Sequence, residues 1–238
     1  MLLLRSVAQR QRQPEIMDLP DLAVERHFDA LRGLERINRW SGSARLLWRP
    51  IFARLQNASL EPWSMLDVAT GGGDIPIRLW DRARRAGLKL EIAGCDRSPC
   101  AIDYARRRAG ACGADIQFFE WDVLQSGIPN RYDIVASSLF LHHLEEEQAI
   151  ALIGAMAGAA RRLLLVNDLV RTRAGYALAY WGTRALSASD VVHTDGPRSV
   201  MGAFTAAELV ALARRAGLGE ARVTKHWPCR ILLEWERP

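Results

Sequence analysis

The sequence predicts an α/β protein: a mostly parallel sheet of seven strands with helices on both faces and a helical cap in front. Three observations carry this. From Met65 onward short β-like apolar runs alternate with amphipathic helical patterns, the signature of parallel strands joined by crossover helices. The last two β-like runs follow each other directly, as an antiparallel pair does. At 238 residues with 49% hydrophobic content, the chain is long enough to bury one full core.

In chain order, "MLLLRSVAQRQRQ" is basic with a very short apolar patch. It lacks the longer apolar stretch and small-residue cleavage site of a secretory signal, so residues 1–17 read as a disordered leader or an over-extended start. Residues 18–60 read as the cap, with an apolar stripe in "HFDALRGLERINRW" and a second short helix in "WRPIFARL". Residues 61–238 form the main domain. "SMLDVA" is its first strand, followed by a glycine turn and a helix near Ile75–Ala86. "KLEIAGCD" is the second strand, before a helix from Pro99 to Ala109; "IQFFEWDV" and "YDIVASSLF" are the third and fourth. The helix "EEEQAIALIGAMAGAA" leads into a fifth strand, "RRLLLVNDL". Residues 171–203 form an insertion, helical in its first half and polar in its second; insertions at the carboxyl edge of a parallel sheet tend to be functional loops or lids. A helix in "TAAELVALARRAG" has Thr205 and Glu208 at capping-box spacing and closes on Gly217. "EARVTKHW" and "CRILLEWE" are the last two strands.

The formal charge of +5 comes almost wholly from arginine, with lysine only at Lys89 and Lys225. The arginines are scattered along helices that keep an apolar face, so they read as solvated surface and not as a nucleic-acid stripe. Cys95, Cys100, Cys112 and Cys229 form no CxxC pair and no ligand cluster with histidine, which indicates neither a metal site nor a disulfide framework. Reduced thiols point to a cytoplasmic protein. No apolar run reaches the ~20 residues that span a bilayer. The expected partners are a small molecule and, at most, a second copy of the chain; no nucleic acid and no membrane segment are expected.

The chemistry starts at "MLDVATGGGDIP". In open α/β sheets ligands bind beyond the carboxyl ends of the strands, where this turn sits. A P-loop would continue with Lys-Ser/Thr after its last glycine; this turn continues "DIP". A dinucleotide site wants G-x-G-x-x-G, and Asp74 at the helix start would repel a pyrophosphate. A ligand without phosphate fits better: S-adenosylmethionine (SAM), an adenosine with a sulfonium cation and an amino-acid group. "GCD" places Asp96 about 20 residues beyond the turn, where a carboxylate can accept from both ribose hydroxyls. "EWDVL" places Asp122 to accept from the adenine amino group, with the backbone of Val123 beside it.

"LDVATGGGDIP", "GCD", "EWDV" and "YDIVASSLFLHHL" resemble, in order, the motifs of class I SAM-dependent methyltransferases, over about Met65–Asp168. Ala69 stands where the first glycine of the usual pattern falls. The resemblance implies a Rossmann-like fold and cofactor contacts from Asp67, Ala69, Thr70, Gly71, Gly73, Asp96, Arg97, Ser98, Asp122, Val123, Ser137, Ser138 and His142. "LFLHHL" is similar to the small-molecule branch that holds ubiquinone and menaquinone C-methyltransferases. "PEIMDLPDL", "ALRGLERINRW" and the 171–203 region resemble proteins found near bacterial type III polyketide synthases, which implies secondary metabolism and a hydroxylated aromatic or pyrone acceptor.

Methyl transfer is an in-line displacement at an activated carbon, so the protein must align a nucleophile and exclude water. A phenol or enol also has to lose its proton, and the bases on offer are His142, His143, Asp168, His193 and Asp195. Either histidine of the pair could instead only line the cofactor pocket, His193 could be a solvated loop residue, and Asp168 could cap a turn. Asp67 reads as an acid that orders the turn or receives the methionine amino group. Trp40, Trp48 and Tyr176 could wall an acceptor pocket or simply belong to the core. The expected function is methylation of a phenolic or enolic oxygen. The alternatives are C-methylation of a quinone-like ring, a non-catalytic SAM-binding partner protein and, last, a nicotinamide-dependent oxidoreductase.

Overall fold

A computed structural model describes residues 7–19, 21–56 and 61–238. The strands are β1 (Trp63–Val68), β2 (Leu90–Asp96), β3 (Ile116–Glu120), β4 (Tyr132–Ser138), β5 (Ala160–Leu169), β6 (Arg222–His226) and β7 (Arg230–Glu236). They form one seven-stranded sheet in the order β3-β2-β1-β4-β5-β7-β6. The first five pair in parallel, and β7 runs antiparallel to both β5 and β6. The order turns back at β1, which has β2 on one side and β4 on the other. That reversal opens a crevice at the carboxyl edge.

Nine helices flank the sheet among the described residues: α1 (Val24–Ser41), α2 (Ser43–Leu55), α3 (Asp74–Arg85), α4 (Pro99–Cys112), the single turn α5 (Val123–Ser126), α6 (Glu146–Ala159), α7 (Arg173–Leu186), α8 (Asp190–Gly202) and α9 (Ala206–Arg215). On one sheet face Leu47, Ile51 and Leu55 of α2 pack with Ile75 and Leu79 of α3 against Met65, Ile134 and Leu163. On the other face Leu152, Ile153 and Met156 of α6 and Leu209 and Leu212 of α9 pack against Val135, Leu164 and Leu233. Burying several such side chains at about 1.5–3 kcal/mol each makes both layers part of one core.

Three sequence expectations change here. The helix in "WRPIFARL", expected in the cap, packs in the sheet's own helical layer as α2, while α1 borders the crevice. The polar half of the 171–203 insertion is helical. Ser189 caps α8 by accepting from the Val192 N–H, and Pro197, which cannot donate to the His193 carbonyl, leaves that oxygen to Arg184. The described part of the expected disordered leader, residues 7–17, lies against the core. Arg171 donates to the carbonyls of Val7 and Ala8, and Arg10 donates to those of Gly202 (2.6 Å) and Leu144 (2.5 Å). The rest of that leader, and residues 57–60 at the end of the expected cap, lie outside the described residues.

Candidate active site

A cavity of about 1040 Å³ lies in the crevice, between the carboxyl edge of β1, β2, β4 and β5, helix α1, the insertion helices and residues 12–19. Its floor begins at the glycine turn. Ala69, Gly71 and Gly73 all adopt positive φ there (54°, 53° and 72°). At Gly73 a Cβ would also fall 2.8 Å from the Phe118 ring, so both backbone and space require glycine. Ala69 bears the strain that the missing first glycine would have avoided.

Acids surround the turn. Asp96 accepts from the Gly71 N–H (2.8 Å) through Oδ2 and from the Ser98 N–H (2.9 Å) through Oδ1. A carboxylate keeps further lone pairs beyond these two bonds, enough for a diol. Burial raises the Asp96 pKa, and the two N–H donors oppose it. Ser98 caps α4, Arg97 pairs with Asp18 at 3.4 Å, and both line the cavity. Asp67 is 2% exposed, and its Oδ2 accepts from Thr70 Oγ1 at 2.7 Å. Burial, with the nearby charges of Asp74 and Asp96, pushes the Asp67 pKa up to about 7. Asp74 is raised to about 6, chiefly by burial, while the Asn38 amide opposes the shift. Asp67 Oδ1, Asp74 Oδ2 and Asn38 Oδ1 are buried without a hydrogen-bond partner among the described residues. Three unpaired acceptors on one wall suit a cationic, hydrogen-bond-donating group.

Asp122 and Val123 line the cavity as expected, but Asp122 Oδ1 already caps α5, accepting from Leu124 and Gln125 N–H. Ser138 lines it as well. Ser137 does not: it is fully buried, and its hydroxyl donates to the Val68 carbonyl (2.9 Å), tying β4 to β1.

The far end holds the histidine pair, in a 3₁₀ turn at Leu141–His143. His142 is buried. Its Nδ1 lies 2.7 Å from Asp168 Oδ1, its main-chain N–H donates to Asp168 Oδ2 (3.1 Å), and its Nε2 is 3.6 Å from Glu15 Oε1. Burial pulls the His142 pKa down, but Asp168 and Glu15 more than reverse this and raise it to about 10. His142 is therefore an imidazolium at neutral pH. For Asp168 burial acts upward and the His142 charge wins, lowering its pKa; the same balance holds at Glu15. Asp168 sits behind His142, outside the cavity lining. His143 faces the cavity, with Nδ1 3.3 Å from Asp18 and Nε2 3.8 Å from Glu15. Glu15, His142 and His143 each bring one ligand atom within 4.8 Å of the others, a grouping that the spacing of cysteines and histidines did not foretell.

His193 and Asp195 are not at this site. His193 Nε2 is bound 2.8 Å from the Ser187 carbonyl, outside the cavity lining. Asp195 accepts from the N–H groups of Ile16 and Met17 (2.9 and 3.0 Å), pinning the segment that carries Glu15. Trp40 lines the cavity; Trp48 and Tyr176 do not. Sequence reasoning missed Glu15, Asp18, Asn38 and Arg230. For the first two, the acids in "PEIMDLPDL" were a signal, since that segment was read within the leader and the cap.

Residues 65–162 match a family model described as a methyltransferase domain. A demethylmenaquinone methyltransferase of Thermus thermophilus is 31% identical over 144 residues, covering 59% of this chain and 62% of its own. One of Deinococcus radiodurans is 36% identical over 108 residues, covering 44% of this chain and 43% of its own. The chain thus spans less than two thirds of the length of either relative. The crystal structure of magnesium protoporphyrin IX methyltransferase from Synechocystis PCC 6803, with bound S-adenosylhomocysteine, matches with a TM-score of 0.59 at 18% identity, over 98% of this chain and 92% of that one. At that identity the likeness concerns the fold. Residues 65–162 are thus similar to a methyltransferase domain, and the chain as a whole shares the fold of a SAM-dependent methyltransferase of known structure.

Proposed function

We propose that the protein transfers the methyl group of SAM to an oxygen of a small phenolic or enolic acceptor. One observation carries this reading: a single cavity joins an acid-lined glycine turn to a polarised histidine pair. The unpaired oxygens of Asp67 and Asp74 fit the ammonium of the methionine moiety, Asp96 fits the ribose hydroxyls, and the Asp122–Val123 corner fits the adenine edge. Bound there, the cofactor supplies an electrophilic methyl on a sulfonium.

The chain's own residues then have to make the acceptor nucleophilic. Asp18, 3.3 Å from His143 Nδ1, favours the tautomer protonated on that nitrogen, which leaves Nε2 to take the acceptor's proton. The fixed imidazolium of His142 stabilises the oxyanion that results, as a preorganised charge in a water-poor site. Asp168 orients His142 from behind. The α1 lid and the 12–19 strap keep water from the methyl donor.

A second reading, methylation of ring carbon, is favoured by the demethylmenaquinone methyltransferases among the relatives. Incubation with methyl-labelled SAM and a panel of phenols, enols and naphthoquinols separates the two by the chemical shift of the product methyl. The expected product is a methoxy group. His143→Ala should lower kcat by about 100-fold or more, with SAM affinity in calorimetry unchanged. SAM binding with no turnover on any member of the panel would overturn the assignment. Activity abolished by EDTA and restored by Zn²⁺ would replace proton transfer at His143 with activation by a cation held at Glu15, His142 and His143.

A further inference from the structure

Arg230 is the first residue of β7 and pairs in register with Leu169, the last residue of β5. This puts a guanidinium at the carboxyl edge of the sheet, in the wall of the cavity. It is 3% exposed. Its Nη2 donates to Ser41 Oγ at 2.9 Å, while Nε and Nη1 have no hydrogen-bond partner among the described residues. The acid whose charge it feels is Asp168, whose oxygens are already engaged. Oδ1 takes His142 Nδ1 and the Leu169 N–H, and Oδ2 takes the His142 N–H.

A buried cation with unspent donors is costly unless an anion completes it. Ser41 ends α1, held by its own bond to the Asn38 carbonyl. Guanidinium geometry favours two-oxygen anions over a single hydroxyl.

We propose that Arg230 and Ser41 form an anion-binding subsite in the acceptor half of the cavity, and that it receives a carboxylate carried by the acceptor. The inference rests on the reading of this cavity as an acceptor site. It narrows the acceptor class from phenols in general to hydroxylated aromatic or enolic acids. The carboxylate is gripped at β7, so the hydroxyl at the other end of the ring is presented to His143 and the methyl donor. Arg230 is thus a specificity residue that takes no part in the proton transfer.

The test is binding, which does not require turnover. The full-length protein, saturated with S-adenosylhomocysteine, is titrated calorimetrically with 2,4-dihydroxybenzoate, with its carboxamide and with resorcinol. The carboxylate should bind about tenfold or more tighter than either neutral analogue. Arg230→Met should erase that preference while leaving affinity for S-adenosylhomocysteine within about twofold, and Arg230→Lys should restore part of it. If Arg230→Met does not fold, Ser41→Ala, which keeps the guanidinium, should still weaken the carboxylate selectively. Equal binding of acid and carboxamide to the unaltered protein, or a preference that survives Arg230→Met, overturns the subsite. An acid preference seen without any methyl transfer would leave the subsite standing and sink the catalytic reading instead.

Discussion

Beside the glycine turn the cavity wall leaves buried acceptors unpaired; at the start of β7 it leaves buried donors unpaired. Among the described residues, Asp67, Asp74 and Asn38 each bury an unpaired oxygen, while Arg230 buries two unpaired nitrogens. Both conditions are costly unless a partner completes them, and they have opposite signs. The contrast suits the two occupants proposed for this cavity, a cation-bearing cofactor and an electron-rich acceptor. The proposed methyl transfer calls for both, because a sulfonium electrophile is positive and the nucleophile is negative or becoming so.

The cofactor end breaks most severely at Asp96. Its carboxylate organises the turn through Gly71 and the α4 cap through Ser98, and its remaining lone pairs are those assigned to ribose. Two hydrogen bonds to a charged acceptor are worth about 1.5 kcal/mol each, so Asp96→Ala should weaken SAM binding about 100-fold by calorimetry. Unchanged affinity would remove the ribose role and leave Asp96 a turn-forming residue only.

Asp67 gives a smaller effect with a pH signature. Its folded pKa, about 7, lies above the ordinary carboxylate value of 3.8 because of burial. The folded protein therefore binds this proton more tightly than the unfolded chain. Its contribution to stability is fully present below the ordinary value and is lost as pH rises through about 7. An ammonium placed against the ionised carboxylate reverses that loss. Melting temperatures measured from about pH 5 to about pH 8 should show the stabilisation by SAM growing with pH and levelling above neutrality. Asp67→Asn should flatten the trend and weaken binding about tenfold. An increment independent of pH in the unaltered protein would place the cofactor's ammonium elsewhere.

The same contrast explains what could be read from the sequence. The turn at 69–73, Asp96 and Asp122 all sit at strand ends, each within a few residues of a glycine turn or helix start, so local pattern located them. The seven strands were legible for the same reason. The wall proposed to face the acceptor is assembled from pieces far apart in the chain. Glu15 arrives on a strap pinned by Asp195, and Arg230 arrives because β7 runs antiparallel beside β5. In a chain whose cations are almost all arginine, the arginine opening "CRILLEWE" looks like any strand-end charge. His193 misled for the converse reason. A polar "HTDGP" reads as a loop, but the residues form α8, and the helix turns this ring back onto the Ser187 carbonyl.

Ser137 makes the smallest and most discriminating test of that lesson. Sequence resemblance placed it with Ser138 at the end of β4, where a backbone carbonyl meets the cofactor, and of the two only Ser138 lines the cavity. Side chains alternate along a strand, so neighbours at its end cannot both face the crevice in the same way. Ser137 is buried, and its hydroxyl donates across to Val68 at 2.9 Å. Ser137→Ala should therefore act on stability alone, costing about 1 kcal/mol and lowering the melting temperature by a few degrees. SAM affinity should stay within about twofold. A larger loss of affinity than of stability would mean that the β4 end contacts the cofactor through Ser137 after all, and that the tie between β4 and β1 serves the pocket more than the sheet.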